Sequence, residues 1–143
     1  VLKEYVNKEV EQQKIKIVYD FKPKDDDIIV EADRVRLAQV IRNLVDNALK
    51  FTINNQLIFV IVELQKDKKD QVIISVTDTG EGISKEVLPK LFSKFTTSDS
   101  STGTGLGLYI CKSIVEAHGG EICGENNLDG KGATFRFKLP ITN

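Results

Sequence analysis

Apolar and polar positions alternate along KIKIVYDF (14–21), and DIIVEAD (27–33) reads as a second strand beyond the polar connector KPKDDD. Ahead of them, residues 1–13 follow a helical pattern. From Asp33 to about Phe51 the period is that of a helix. Leu37, Ile41, Leu44, Val45 and Ala48 form one apolar stripe there, and Asp33 is placed to cap the N-terminus. QLIFVIVELQKD and QVIISVTD, separated by the polar turn KDKKD, predict an antiparallel strand pair. SKEVLPKLF predicts a short broken helix, SKFTTSDSSTG a polar loop, and LGLYICKSIVEAHGG a helix stopped by paired glycines. GEICGENN and GATFRFKLP predict two closing strands. Helices and strands mix without regular βαβ alternation. The expected fold is therefore an α/β (α+β) two-layer sandwich, a mixed, mostly antiparallel sheet with helices on one face. No repeat or internal linker divides the 143 residues, so one domain over 1–143 is expected.

Composition narrows the function classes. Hydrophobic residues make up 41% and charged residues 29%, the balance of a soluble globular domain. A formal net charge of -1 implies no broad basic surface, so neither nucleic acid nor anionic lipid is an expected partner. No apolar run approaches the ~20 residues of a membrane helix. VLKEYVNKEV has neither signal- nor transit-peptide character and starts as if inside a helix, so an excised domain of a longer protein is expected, in a cytoplasmic setting. Cys111 and Cys123 lack metal-ligand spacing and read as free thiols packed in the core.

Three stretches carry candidate chemistry. On the helix 33–51, Asn43, Asn47 and Lys50 fall on roughly the opposite side from the apolar stripe, with Arg36. That is what a merely wet helix face looks like. Yet asparagine is a poor helix former, an Asn carbonyl is a hard oxygen ligand suited to Mg²⁺, and a lysine one turn on can meet a phosphate. In VIISVTDTGEGI, the strand runs into Asp78, with Gly80 and Gly82 after it. The bland alternative is a turn with Asp78 bonded to nearby amides. A carboxylate beside bare backbone also suits a ring carrying an exocyclic amine, with ~1.5–3 kcal/mol at stake in the charge-assisted bond. In STGTGLGLYI, Gly103, Gly105 and Gly107 open a helix whose free N–H groups suit phosphate. The spacing is neither a P-loop nor a G-x-G-x-x-G dinucleotide pattern, and a flexible loop tip would look the same.

Together and in this order, the stretches resemble the catalytic ATP-binding domain of sensor histidine kinases, within the superfamily shared with Hsp90, type II topoisomerases and MutL. DRVRLAQVIRNLVDNALKF resembles the N box, DTGEGI the first glycine box, LFSKF the F box, GTGLGLYICKSIVEAHGG the second glycine box with its helix, and GKGATFRFKLP the closing strand. The resemblance implies an ATP site between helices and under a mobile lid, with ATP and Mg²⁺ as cofactors. It implies that Asn47 is the principal Mg²⁺ ligand with Asn43 in support, and that Lys50 faces the phosphates. Asp78 would accept from the adenine amine, Gly80 and Gly82 would admit the base, and Ile83 would line it. Thr134 would help bind the adenine edge. Phe92 and Phe95 would anchor a lid over about 93–104, and Gly103, Thr104, Gly105, Leu106, Gly107 and Leu108 would hinge it and touch phosphate. Strand alternation sets one tension here: Phe135, Phe137 and Leu139 share a face, and Thr134 takes the other.

Two departures from the family pattern shape the functional expectation. Lids in the family often carry arginines or many lysines, and this one offers only Lys94, so Lys50, Lys94 or backbone would stabilise the γ-phosphate. His118, the single histidine, sits at a helix end and is expected to cap carbonyls there, which leaves no phosphoacceptor in the chain. The implied partners are a histidine-containing dimerisation domain of the same protein and a response regulator receiver domain. ATP-hydrolysing relatives carry a glutamate where Asn43 stands, and Asp46 is expected to point elsewhere, so transfer to a histidine fits better than hydrolysis. A serine kinase of the anti-sigma-factor type, or a nucleotide-binding module without catalysis, are the alternatives.

Overall fold

The computed structural model of the chain describes residues 16–22, 29–52, 57–66, 70–96 and 105–142. The expected helix over 1–13, most of the KPKDDD connector, and Gly103 and Thr104 lie outside the described residues. The described elements run β1 (Lys16–Phe21), α1 (Arg34–Phe51), β2 (Leu57–Lys66), β3 (Asp70–Asp78), α2 (Gly107–Ala117), β4 (Glu121–Asn126) and β5 (Ala133–Pro140). The expected broken helix over SKEVLPKLF is reduced to a single 3-10 turn, Leu88–Lys90, with Pro89 inside it.

The five strands form one mixed sheet in the order β1-β2-β3-β5-β4. β1 pairs with β2 in parallel, and the other three pairings are antiparallel. Alternation along each strand sends one set of side chains toward the helices. Ile58 and Val60 of β2, Val72, Ile74 and Val76 of β3, and Phe135, Phe137 and Leu139 of β5 meet Val40, Leu44, Val45, Ala48 and Leu49 of α1. From α2, Cys111, Ile114 and Val115 join the same core. Both helices therefore cover one face, as the pattern predicts. The buried face of α1 is wider than the expected stripe, taking in Val40 and Leu49 at its two edges, whereas Leu37 and Ile41 near the start of the helix are only partly buried.

Residues 29–33 are not a strand, although their alternation suggested one. Their backbone partners lie elsewhere. Ile29 O accepts from the backbone N–H (3.0 Å) and the hydroxyl (3.2 Å) of Thr142. The Asp33 N–H goes to His118 Nε2 at 3.0 Å. Asp33 caps α1 as predicted, its Oδ1 accepting from Val35 N at 3.0 Å and Arg36 N at 3.2 Å.

His118 joins the two helices. Because Nε2 accepts from Asp33, the ring proton sits on Nδ1, which donates to Ile114 O at 2.7 Å. The residue thus closes the C-terminal turn of α2 and seats the start of α1 against it, with both nitrogens occupied. Cys111 is fully buried, but Cys123 is exposed, contrary to expectation. It lies on the outer face of the edge strand β4, where alternation leaves it in solvent.

The His118→Ala variant is expected to lose about 1 kcal/mol of stability, since two hydrogen bonds are removed at a partly solvated site. Urea unfolding of the two proteins measures it, and equal midpoints would show that the joint between α1 and α2 does not depend on the imidazole.

Candidate functional site

The end of β3 sets the site. Parity puts Asp78 on the helix side with Val72, Ile74 and Val76, so the strand delivers a carboxylate into the core layer, where it is only 2% exposed. Two backbone amides meet it, Gly80 N at 3.0 Å and Ala133 N at 3.3 Å, and both bond to Oδ1. Among the described residues no hydrogen bond falls on Oδ2. Burial pushes the Asp78 carboxyl above the usual carboxylate range, and the two amide bonds only partly oppose that.

Asp78 lines a cavity of about 460 Å³, a volume in the range of small-molecule sites. One wall is a face of α1, where Asn43, Asp46, Asn47 and Lys50 recur at helical spacing. Another is the loop after β3, through Gly82 and Ile83. The start of α2 closes a third side with Gly105, Gly107 and Leu108, and Ala133 and Phe135 of β5 form part of the floor. Leu106, in the N-cap position of α2, has no side-chain cap, so the first-turn N–H groups of that helix are unsatisfied within it. One cavity thus holds the Asp78 carboxyl, the polar side chains of α1 and the start of α2, together with apolar side chains.

The structure brings Asn43, Asn47, Lys50, Asp78, Gly82, Ile83, Gly105, Gly107 and Leu108 to one cavity. Asn43 has a tie of its own: its amide nitrogen donates to Gly107 O at 3.4 Å, fixing α1 against the start of α2. The nearby Cys111 thiol donates to Val40 O at 3.7 Å, and burial pushes it up to about 11, so that sulfur stays protonated near neutrality and offers no metal ligand. The Asn47 side chain has no hydrogen bond to any described residue. Among the described residues no three His, Cys, Asp or Glu side chains converge on a metal position. A Mg²⁺ ion here would rely on the carbonyl of Asn47 and on oxygens of the ligand and water, a donor set that suits it.

Several expectations need correction. Thr134 does not reach the cavity. It sits on the other face of β5, where its hydroxyl donates to Asn127 Oδ1 at 2.6 Å and lies 2.9 Å from the Thr77 hydroxyl. Gly80 does not line the cavity either; a Cβ there would collide with the carbonyl of Phe51 at the end of α1 and crowd Asp78. Its bareness lets β3 pass under the helix end. Lys94 is held away from the cavity, its Nζ 4.9 Å from the Tyr109 ring centroid. The Phe95 ring is 73% exposed, and its backbone, at φ 62°, makes the tie among the described residues, its N–H bonded to Gly105 O at 2.9 Å. Phe92 does pack, edge-on to Phe135 with centroids 6.5 Å apart. Asp46, expected to point elsewhere, lines the cavity.

Gly132 went unnoticed in the sequence. It has φ +79°, and a Cβ on it would lie 2.8 Å from Asp78 Oδ1 and closer still to the Asp78 carbonyl. Its signal, a glycine before the last strand, is indistinguishable from an ordinary turn glycine.

Comparison with known proteins agrees with this geometry. Residues 32–143 match the family model described as histidine kinase-, DNA gyrase B- and HSP90-like ATPase. The chain is 46% identical over 121 residues to the sensor protein KdpD of Clostridium acetobutylicum, covering 81% of this chain and 13% of that protein. The chain therefore spans a small part of that curated relative. Among solved structures, the nucleotide-free catalytic domain of the histidine kinase ThkA superposes with a TM-score of 0.81 at 37% identity, covering 96% of this chain and 86% of that one. ThkA in complex with its response regulator TrrA gives 0.75 at 36% identity, covering 99% and 39%.

The raised pKa of Asp78 carries a stability prediction. The folded state holds the Asp78 proton more tightly than the unfolded state, so its contribution to stability falls as pH rises from about 4 through the raised value. Above that value the cost of burying the charge is complete. In the ligand-free protein, Asp78→Asn is expected to raise stability at neutral pH and to flatten the profile between pH 4 and neutrality. Urea unfolding across that range measures it, and a parallel pair of profiles would contradict the burial cost.

Proposed function

We propose that this chain, which belongs to the family of histidine kinase-, DNA gyrase B- and HSP90-like ATPases, binds Mg-ATP and donates its γ-phosphoryl group to a histidine on a separate helical dimerisation domain. The observation that carries this reading is the free oxygen of Asp78 in the same cavity as Asn47, Lys50 and the α2 N-terminus. An adenine amine can donate to Asp78 Oδ2, whereas guanine offers an acceptor oxygen that a carboxylate repels. Ile83, Val87, Leu91 and Phe135 offer apolar contact for the ring. At the other end, Lys50 and the first-turn amides of α2 take phosphate oxygens. Asn47, supported by Asn43, would hold Mg²⁺, which would neutralise charge on the transferring phosphoryl group.

The same residues favour transfer over hydrolysis. Water activation needs a base beside the phosphates. Asn43 is a neutral amide already tied to Gly107, and Asp46 is engaged within the protein. An acceptor imidazole is its own nucleophile, so the domain need only position and neutralise. His118 does not serve as that acceptor, because both its ring nitrogens are used at the far end of α2. The domain over 1–143 is thus one catalytic module, with the phosphoacceptor helices as a separate unit. A receiver domain is the proposed downstream partner, as TrrA is for ThkA in their solved complex. No described helix is long and apolar enough to cross a membrane.

Calorimetry with ATP and GTP, with and without Mg²⁺, tests the binding. ATP is expected to bind in preference to GTP, Asp78→Asn to weaken it at least about tenfold, and Asn47→Ala to remove the Mg²⁺ dependence. Equal ATP and GTP affinities would sink the base assignment. Transfer is tested by adding a histidine-bearing dimerisation domain and labelled ATP. Acid-labile phosphohistidine on that domain and none on His118 is expected; rapid phosphate release without it would favour a hydrolase.

A further inference from the structure

Asn126 ends β4, and Asn127 opens the turn to β5. Neither lines the cavity, yet their two side chains hold both ends of the segment that does. Asn126 Oδ1 accepts from Ile83 N at 2.7 Å, and Asn126 Nδ2 donates to Ile83 O at 2.9 Å. One carboxamide thus satisfies both main-chain groups of Ile83, as a neighbouring strand would. Asn127 Nδ2 donates to Asp78 O at 2.9 Å and to Lys131 O at 2.8 Å, while its Oδ1 accepts from Thr134 at 2.6 Å. Thr134 therefore acts on Asp78 through Asn127 and not through the cavity.

Only a carboxamide presents a donor and an acceptor side by side, which is what both positions use. The surrounding backbone is shaped to receive them. Gly82 has φ +83°, and a Cβ there would lie 2.8 Å from Asn126 Oδ1. Gly132, packed on Asp78, accepts the Asn127 N–H at 3.0 Å. The Asp78–Ile83 loop has few other ties of its own, since Asp78 Oδ1 and the Thr79 hydroxyl supply the rest.

We propose that Asn126 and Asn127 are positioning residues that set the adenine selectivity of the cavity, acting through the main chain of Ile83 and Asp78. The inference rests on the nucleotide reading above. A hydrogen bond weakens steeply with misalignment, so a loop released at either end loses the bond that distinguishes adenine while keeping contacts any purine makes.

The test compares wild type with Asn126→Ala, an exposed position where truncation does not threaten the core, and with Asn127→Ser as the milder change at the inner site. ATP affinity is expected to fall about tenfold with GTP affinity unchanged, so that the two converge. In ligand-free protein, amide exchange at Ile83 should quicken in Asn126→Ala, and the NMR-monitored titration of the Asp78 carboxyl should move in Asn127→Ser. An equal loss for both nucleotides, or unchanged selectivity with an unmoved Asp78 titration, overturns the proposal. Wild-type protein that binds no ATP would overturn the nucleotide reading and this inference together, and that failure shows in the wild type alone.

Discussion

A carboxylate buried at the end of the central strand is the constraint around which the rest is arranged. Asp78 is nearly sealed from solvent and carries one oxygen bonded to two amides. Burying a charge without full compensation is costly, and the raised pKa of the group expresses that cost. To bring two amides to one oxygen, backbone must crowd it from both sides. Residue 80 passes beneath the Phe51 carbonyl, and residue 132 presses on Asp78 itself, so neither tolerates a Cβ. The glycines that look like ligand clearance in the sequence are in good part clearance for the protein's own chain.

From that constraint the cavity follows. The pairing of β3 with β5 brings Ala133 beside Asp78, and the same pairing places Phe135 in the floor. α1 lies across the same face because its apolar side meets Val76 and its neighbours, which turns Asn43, Asn47 and Lys50 toward the opening. α2 is drawn in at both ends, by Asn43 at Gly107 and by His118 at Asp33. Packing and site are one arrangement here. The helix contacts that bury the core also set the separation between the base end and the phosphate end.

The sequence made legible what depends on local pattern. The capped helix at Asp33, the strand pair β2–β3, the glycine stop after α2 and the one-sided helix layer follow from period, caps and turns. The residues on α1 that share the cavity were legible for the same reason, since helical spacing alone places them together. What escaped were matters decided at long range. Residues 29–33 alternate like a strand but spend their hydrogen bonds on Thr142 and His118. Thr134 was expected at the base by family resemblance, although alternation in β5 already put it on the other face from Phe135, and alternation was right. Asn126 and Asn127 read only as the end of a strand, and Gly132 as the glycine before the next, because their partners at 78–83 lie some 40 to 55 residues away in the chain.

The lack of a base at position 43 is itself a consequence of packing. A glutamate at position 43 would meet a demand it cannot fill, since the side chain there donates to the carbonyl of Gly107. A carboxylate cannot donate to that carbonyl, and an ionised one would be repelled by it. The asparagine makes that contact while remaining neutral, so the tie between α1 and α2 excludes a base at this position. In this chain the residue at position 43 therefore ties the start of α2 to α1 and carries no group able to act as a base. Restoring a base at 43 would be expected to loosen the start of α2, the very element whose N–H groups face the phosphate end of the cavity.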